Sequence, residues 1–583
     1  MNINTKEETK VSKSSGKFGF FSIFVTIVGT VIGAGIFFKA DSIYATTGST
    51  IVSMISWIVA GVFILIMAVA CLEIVSSSKN TDEAGTLSNW ASKFVSPKFG
   101  TYVGLFLIFV YMPLTIIPLT QFTTDFISSA ATGNATFNDM WVNVLITFAI
   151  FSLLTIINLH SSKTSRFIQL GGTIIKLIPL SLILISSLVF IIVDPGMSNF
   201  YNDTANIHSM SGGTMFQTLM LALPAVLFAY DGFIYAGSLQ NETKKKGTFK
   251  SALVFGILFI VFIYTMLAFG LYGSGDINAD NPFSVSSVVV SVFGDEVGSW
   301  MNVIISITIV ISISTGLNGF ITSGNRSFSS MSETNLIRDD NKKQQERNKG
   351  GVPYHSARNL AFINFVWFII IYTATTFISI SSGSFDEFII NVLSEFAVII
   401  EFMLIGIIML GGILNRKTKK VKVDKHKFFI PSAIITVIFT FFIGTYETVY
   451  YLFINPDAYN LTIGIIMISS IIILIFATNF QTRNMEKRYN NNWEKACNYV
   501  NDILLIDGGV IDLDALTKSE SALAEIEKYN SKLYKFSITS ISSSKYVEKV
   551  NDAFIKVGDF NYKLIRKTVD LAYSAKSKIL RKD

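Results

Sequence analysis

The sequence predicts an all-α integral membrane protein of about twelve transmembrane helices, arranged as a 5+5 inverted repeat with broken helices 1 and 6 and followed by a helical cytoplasmic C-terminal tail. Three observations carry this. Half of the residues are hydrophobic, only 15% are charged, and the mean hydropathy is +0.51, which places the chain in the membrane class. Apolar stretches of roughly 20 residues, the length that crosses a bilayer core, recur along the chain. Two of them are interrupted at their middles, at Thr30-Val31-Ile32-Gly33-Ala34-Gly35-Ile36-Phe37 and at Phe228-Ala229-Tyr230-Asp231-Gly232-Phe233.

The expected spans are, in order, 18–47, 49–75, 101–128, 139–159, 167–193, 214–243, 248–272, 297–325, 359–379, 386–414, 428–449 and 460–480. Basic residues set their orientation, because cytoplasmic loops are enriched in Lys and Arg. They crowd the N-terminus (Lys6, Lys10, Lys13, Lys17) and recur at Lys79–Lys98, Lys163/Arg166, Lys244–Lys250, Arg326–Arg358 and Arg416–Lys427. The intervening loops around 129–138, 194–213, 273–296, 380–385 and 450–459 hold no Lys or Arg. Twelve spans with this alternation put both termini in the cytoplasm of a multi-pass protein of the cell membrane. The polar lead lacks a small-residue cleavage site after the first apolar run, so a removable signal peptide is not expected. Cys71 lies in span 2 and Cys497 in the cytoplasmic tail on this topology, so they should not pair. Inside-loop lysines account for the net charge of +6, so no nucleic-acid partner is implied.

The chain divides into a cytoplasmic segment (1–17), a membrane body (18–480) and a polar region (481–583). Within the body, 18–193 and 214–414 read as the two five-helix units, with helices 11 and 12 (428–480) as peripheral additions. Both interruptions fall in the first helix of their unit, as an inverted repeat requires. The tail shows amphipathic spacing at Val500, Ile503 and Leu504 and again at Tyr562, Ile565, Val569 and Ala572, with Asp507-Gly508-Gly509 as a turn between helices. It reads either as a self-packed helical appendage or as a region that binds a cytoplasmic partner.

At the first interruption, a helix that stops around Ile32 and restarts at Gly35–Ile36 presents free backbone N–H groups at a positive helix-dipole end. An anionic group such as an α-carboxylate suits that place. Glycine lets a ligand approach bare backbone. The same glycines, with Gly29 four residues before Gly33, also fit close helix packing. At the second interruption, carbonyls near Leu227–Tyr230 can accept from a substrate ammonium, and Phe228, Tyr230 and Phe233 can close over the ligand. Asp231, in a long apolar stretch, either recognises a cationic side chain, handles protons, or caps the N–H groups of the following half-helix.

Lys176 lies ten residues beyond Arg166, which at about 1.5 Å per residue is roughly 15 Å into the membrane. Its ammonium cannot reach the interface from there and must be neutral, paired or hydrogen-bonded to carbonyls. It either replaces a bound sodium ion, titrates as a coupling site, or belongs to a structural ion pair. Ser312, Ser314 and Thr315 offer hydroxyls in span 8 that can partner it, although small polar residues in membrane helices also serve as packing contacts. Glu395 and Glu401 occupy different faces of span 10 and can titrate or simply hydrogen-bond. No Walker loop, zinc-type His pairing or G-x-S-x-G elbow occurs, so no enzyme activity, cofactor or metal site is expected.

Together these residues resemble the amino acid–polyamine–organocation (APC) family of permeases, with the leucine-transporter fold. The matching pieces are Gly33-Ala34-Gly35-Ile36-Phe37, Glu83-Ala84-Gly85, Lys176-Leu177-Ile178-Pro179-Leu180, Phe228-Ala229-Tyr230-Asp231-Gly232-Phe233, Asn241-Glu242-Thr243-Lys244, and Asn318-Gly319 with Arg326. The resemblance implies that the Ile32–Ile36 backbone holds an amino acid carboxylate and the Phe228–Asp231 carbonyls its amino group. It further implies that Lys176 stands where sodium sits in sodium-dependent members. The Ala-Tyr-Asp-Gly phrase looks like that of light-chain-type exchangers, some of which accept cationic amino acids. Phe233 in place of a common tryptophan, an imperfect fit at Ser312–Thr315 and the long tail depart from the pattern. The expected function is a sodium-independent amino acid transporter working by alternating access, coupled to protons or acting as an exchanger. The alternatives are a polyamine or organic-cation permease and a non-transporting sensor signalling through the tail.

Overall fold

The computed structural model describes residues 19–488 except 33–34, 79–85, 133–135, 138, 194–199, 201–202, 204–209, 236, 238–246, 275–293, 340–341, 383–387 and 456–457; beyond these it describes Trp493, Cys497, 503–506 and 509–512. Gly33, Ala34, the Glu83-Ala84-Gly85 and Asn241–Lys244 motifs and nearly all of the expected tail helices therefore lie outside the described residues.

Ten helices among the described residues are long and apolar enough to cross a membrane. The two other expected spans are each divided into pieces too short to cross alone. The first is α1 (Phe20–Val31) and α2 (Gly35–Thr47). It is followed by α3 (Thr50–Val75), the short α4 (Leu87–Phe94) and α5 (Pro97–Phe106), which runs through a π-helical turn into α6 (Met112–Thr132). After α7 (Met140–His160), the other divided span is α8 (Ser162–Ile175) and α9 (Leu177–Val193), separated at Lys176. Pro179 accounts for that break, because proline has no N–H to donate to the Ile175 carbonyl and its ring crowds it.

The second half comprises α10 (Gly212–Tyr230), α11 (Thr248–Ser274), α12 (Asp295–Glu333), α13 (Tyr354–Ser382) and α14 (Phe388–Thr418). It ends with α15 (Phe429–Val449) and α16 (Ala458–Arg488). Serine or aspartate side chains cap several N-termini by accepting backbone N–H groups: Ser49 for α3, Ser96 for α5, Asp139 for α7, Ser161 for α8 and Ser211 for α10.

Burial orders these helices. In the most apolar window of Pro97–Thr132, 94% of residues are buried, against 17% for Gly464–Lys487, so the third span is central and the last peripheral. Exposed aromatics such as Phe167, Trp300, Phe453 and Phe476 are the lipid-facing surface of a multi-pass protein. α6 packs on α12, α1 on α11, and α10 on both α2 and α3, which gathers the two interrupted spans around the third and eighth.

The tail departs from expectation where it is described. Ile503–Ile506 and Gly509–Asp512 form an antiparallel hairpin, β1 and β2, with Ile503 opposite Asp512 and Ile506 opposite Gly509. The apolar run Ile503–Ile506 is short, and a run of that length does not by periodicity alone distinguish a strand from a helix. Cys71 and Cys497 are both buried and do not form a disulfide with each other.

Candidate functional site

The first break runs from Val31, the last residue of α1, to Gly35, the first of α2. A helix end leaves carbonyls without intrahelical partners, and each must find another donor when buried. Lys176 supplies two of these donors, its Nζ donating to the Gly29 and Ile32 carbonyls at 2.6 Å each. The ammonium is fully buried and sits at the break between α8 and α9, which brings it to the end of α1. Bonding to carbonyls was one of the alternatives the sequence left open for Lys176.

The described hydrogen bonds join none of the span 8 hydroxyls to Lys176. Thr315 Oγ1 donates to the Ile311 carbonyl in its own helix, and Ser312 Oγ is buried with no described partner. Ser314 is half-buried on the same helix. Asn318 belongs to a packing network with Asn158 and Ser165 that joins α7, α8 and α12.

The second break begins where α10 ends at Tyr230. Asp231 is extended, with φ −69° and ψ 167°, and Gly232 takes φ +97°. That positive φ requires glycine and turns the chain out of the helix. The Asp231 carboxylate accepts the Gly232 N–H at Oδ1 (2.6 Å). Its Oδ2 accepts a hydrogen bond from Tyr111 Oη.

Tyr111 closes the π-helical turn Leu107–Tyr111. Pro113, which cannot donate to the Phe109 carbonyl, explains the turn, and Trp367 Nε1 satisfies the freed carbonyl at 2.5 Å. Tyr111 was not anticipated; the paired prolines at Pro113 and Pro118 in an otherwise apolar span were its available signal.

The two breaks touch. A Cβ added to Gly35 would lie 2.5 Å from Ala229 Cα, so no larger residue fits at the start of α2 without moving backbone. Tyr264 Oη on α11 stands 3.1 Å from the Val31 carbonyl and 3.2 Å from the Ala229 carbonyl, so one hydroxyl serves both interruptions. Tyr230 is turned away from this junction, packing on Trp57 and Tyr264 and donating to the Trp57 carbonyl at 3.3 Å. It therefore does not close over the space between the breaks. Phe233 is buried and does not line that space either, and Ile32 and Ile36 are fully buried beside it.

Between the breaks lies a small cavity of about 20 Å³, room for a water-sized group in this conformation. Thr30, Val31 and Gly35 line it from the first break, and Phe228, Ala229 and Asp231 from the second. Thr115 and Leu119 of α6 and Ile313, Gly316 and Phe320 of α12 complete it. Thr115 Oγ1 is buried without a described partner, so it presents an unused hydroxyl to the cavity.

One turn along α2 from Gly35, the fully buried Lys39 pairs with Glu395 of α14 at 2.5 Å and lies 5.2 Å from the Phe228 ring centroid. Glu401, on a different face of α14, accepts from Tyr235 Oη at 2.8 Å. Among the described residues, no group of three or more His, Cys, Asp or Glu side chains is placed to hold a metal ion.

A bundle of apolar helices that carries a small cavity between two broken spans, with Asp231 and two threonines in its lining, defines the class, a multi-pass membrane transporter. The chain belongs to the amino acid permease family, whose profile matches residues 18–478. An uncharacterized protein of Mycoplasma pneumoniae is 25% identical over 478 residues, covering 72% of this chain and 82% of its own. The serine/threonine exchanger SteT of Bacillus subtilis is 25% identical over 319 residues, covering 54% of this chain and 68% of its own. The arginine/ornithine antiporter ArcD1 of Lactococcus lactis is 23% identical over 321 residues, covering 51% and 58%. The named relatives are amino acid transporters of the APC family rather than enzymes, and this chain is an amino acid transporter of that family.

Proposed function

We propose that the chain moves amino acids by alternating access without sodium, and that the cavity between the two breaks is its substrate site. The observation that carries this reading is the contact of the breaks at Gly35 and Ala229 beside a cavity lined by residues of both. The first turn of α2, which begins at Gly35, offers backbone N–H groups with no preceding helical turn to an α-carboxylate. The end of α10 offers carbonyls between Phe228 and Asp231 to the α-ammonium, with the Phe228 ring closing one side. Thr115 is placed to bond a polar substrate group.

Lys176 supports sodium independence. Its fixed ammonium already satisfies the Gly29 and Ile32 carbonyls that a cation would otherwise hold together. The names of SteT and ArcD1 refer to serine and threonine and to arginine and ornithine, which favours small polar or cationic amino acids as the substrate class here. In the cell membrane both termini would face the cytoplasm.

Purified protein in proteoliposomes tests the reading. Labelled amino acids should accumulate in sodium-free buffer, and counterflow against preloaded amino acid separates exchange from uptake driven by a pH gradient. No uptake or counterflow with any of the twenty amino acids, but uptake of polyamines, would transfer the site to organic cations.

A further inference from the structure

Two carboxyl groups meet beside the cavity. Glu401 is fully buried on α14 and Asp231 nearly so, and the two lie within hydrogen-bonding reach of each other. Three of their four oxygens have described donors. Tyr111 Oη donates to Asp231 Oδ2, the Gly232 N–H to Asp231 Oδ1, and Tyr235 Oη to Glu401 Oε1. The fourth, Glu401 Oε2, is buried and accepts no hydrogen bond of ordinary geometry; the nearby Tyr111 hydroxyl has one proton and gives it to Asp231.

The groups that face the pair do not supply a counter-charge. From the third span comes Tyr111, from the chain after α10 Tyr235, and from α12 the Phe320 ring against both tyrosines. Lys39 of α2 is committed to Glu395, which lies six residues from Glu401, about 9 Å along the helix. Glu447 of α15 faces Glu395 rather than the pair. Lys176 is bonded to the carbonyls at the end of α1. Among the described residues, no lysine, arginine or histidine pairs with either carboxyl.

Two ionised carboxylates in contact repel each other, and a buried acceptor oxygen with no donor is costly. A single proton relieves both conditions. Placed on Glu401 Oε2, it converts the unserved acceptor into a donor directed at Asp231 and leaves one negative charge shared by the pair. Asp231 lines the cavity, so the shared proton stands next to the substrate position.

We propose that Asp231 and Glu401 form one proton-binding site, and that coupling of amino acid movement to protons resides there rather than at Lys176. This rests on reading the cavity as the transport site. The proton passes from one side of the membrane onto the pair and leaves to the other with the same conformational change that moves the amino acid. No covalent bond changes.

Infrared difference spectra test the proton site without requiring transport. The membrane-reconstituted protein at neutral pH should show a protonated-carboxyl stretch that is lost in Glu401→Gln and in Asp231→Asn. A wild-type protein without such a band, or a band that survives both substitutions, overturns the site. Coupling is read from a pH dye trapped in proteoliposomes. Wild-type uptake should acidify the lumen, and the ratio of protons to amino acid should fall at least tenfold in Glu401→Gln. Uptake by the wild type with no lumenal acidification, or an unchanged ratio in the variant, overturns the coupling. If the wild type takes up no amino acid at all, the transport reading and the coupling built on it fail together, while the infrared band still decides the proton site.

Discussion

Gly35 and Ala229 are in such close contact that a Cβ on Gly35 would stand 2.5 Å from the Ala229 Cα, so the two broken spans abut backbone to backbone. The obstacle is main chain and no rotamer change relieves it. Gly35→Ala is therefore expected to cost about 1–3 kcal/mol through overpacking. A lower thermal-unfolding midpoint together with loss of amino acid uptake is the measured outcome, and a fully active, equally stable variant would contradict the contact.

Lys176 ties the end of α1 to the break between α8 and α9. Lys176→Ala strands two buried carbonyls, each with a desolvation cost of about 1–3 kcal/mol if it stays dry. The variant is expected to insert into the membrane, as judged by expression and size-exclusion profile, yet to lose transport at every pH. Wild-type uptake by Lys176→Ala would remove the ammonium from the substrate-site architecture.

Tyr264 bridges the Val31 and Ala229 carbonyls with one hydroxyl, which can donate to only one of them at a time. Tyr264→Phe keeps the ring packing on Trp57 and Tyr230 and removes the bridge. The expected loss is about 0.5–1.5 kcal/mol of hydrogen bonding, appearing as a KM for the amino acid raised several-fold. Uptake kinetics across a substrate range measure it.

Asp231 presents its carboxylate to the cavity while Tyr111 and the Gly232 N–H hold it in place. Asp231→Asn keeps one acceptor oxygen for the Gly232 N–H and removes the charge, its NH₂ then donating to the Tyr111 hydroxyl. Competition of lysine or arginine against labelled substrate should weaken at least tenfold, about 1.4 kcal/mol, more than competition by neutral amino acids. Equal weakening of both classes leaves Asp231 with a purely capping role.

Thr115 lines the cavity with an unpartnered hydroxyl. Thr115→Val is nearly isosteric and removes the hydroxyl alone. Binding of a polar amino acid, followed by thermal shift or calorimetry, is expected to fall by about 0.5–1.5 kcal/mol, while protein stability stays the same or rises.

The sequence reading anticipated the interruptions closely. A stop near Ile32 and restart at Gly35 match α1 and α2, and the α10 break falls at Asp231 as expected. These features are legible because hydropathy, glycine and proline act locally. The break at Lys176 and the π-helical turn were less visible, although Pro179 and Pro113 explain both afterwards. The tail hairpin was read as helix because four apolar residues carry too little periodicity to choose.

By itself, the sequence determined the membrane class, the apolar helices long enough to cross a bilayer and the two interruptions, since each follows from the local match between residue polarity and the bilayer. Only the tertiary structure decided which carbonyls Lys176 holds, since they lie 147 and 144 residues away. It also decided that Tyr230 faces Trp57 rather than the cavity, that Thr115 and Phe320 line it, and that Asp231 meets Glu401. These are contacts between side chains and backbone brought together by helix packing, and no local pattern in the chain encodes which helix faces meet.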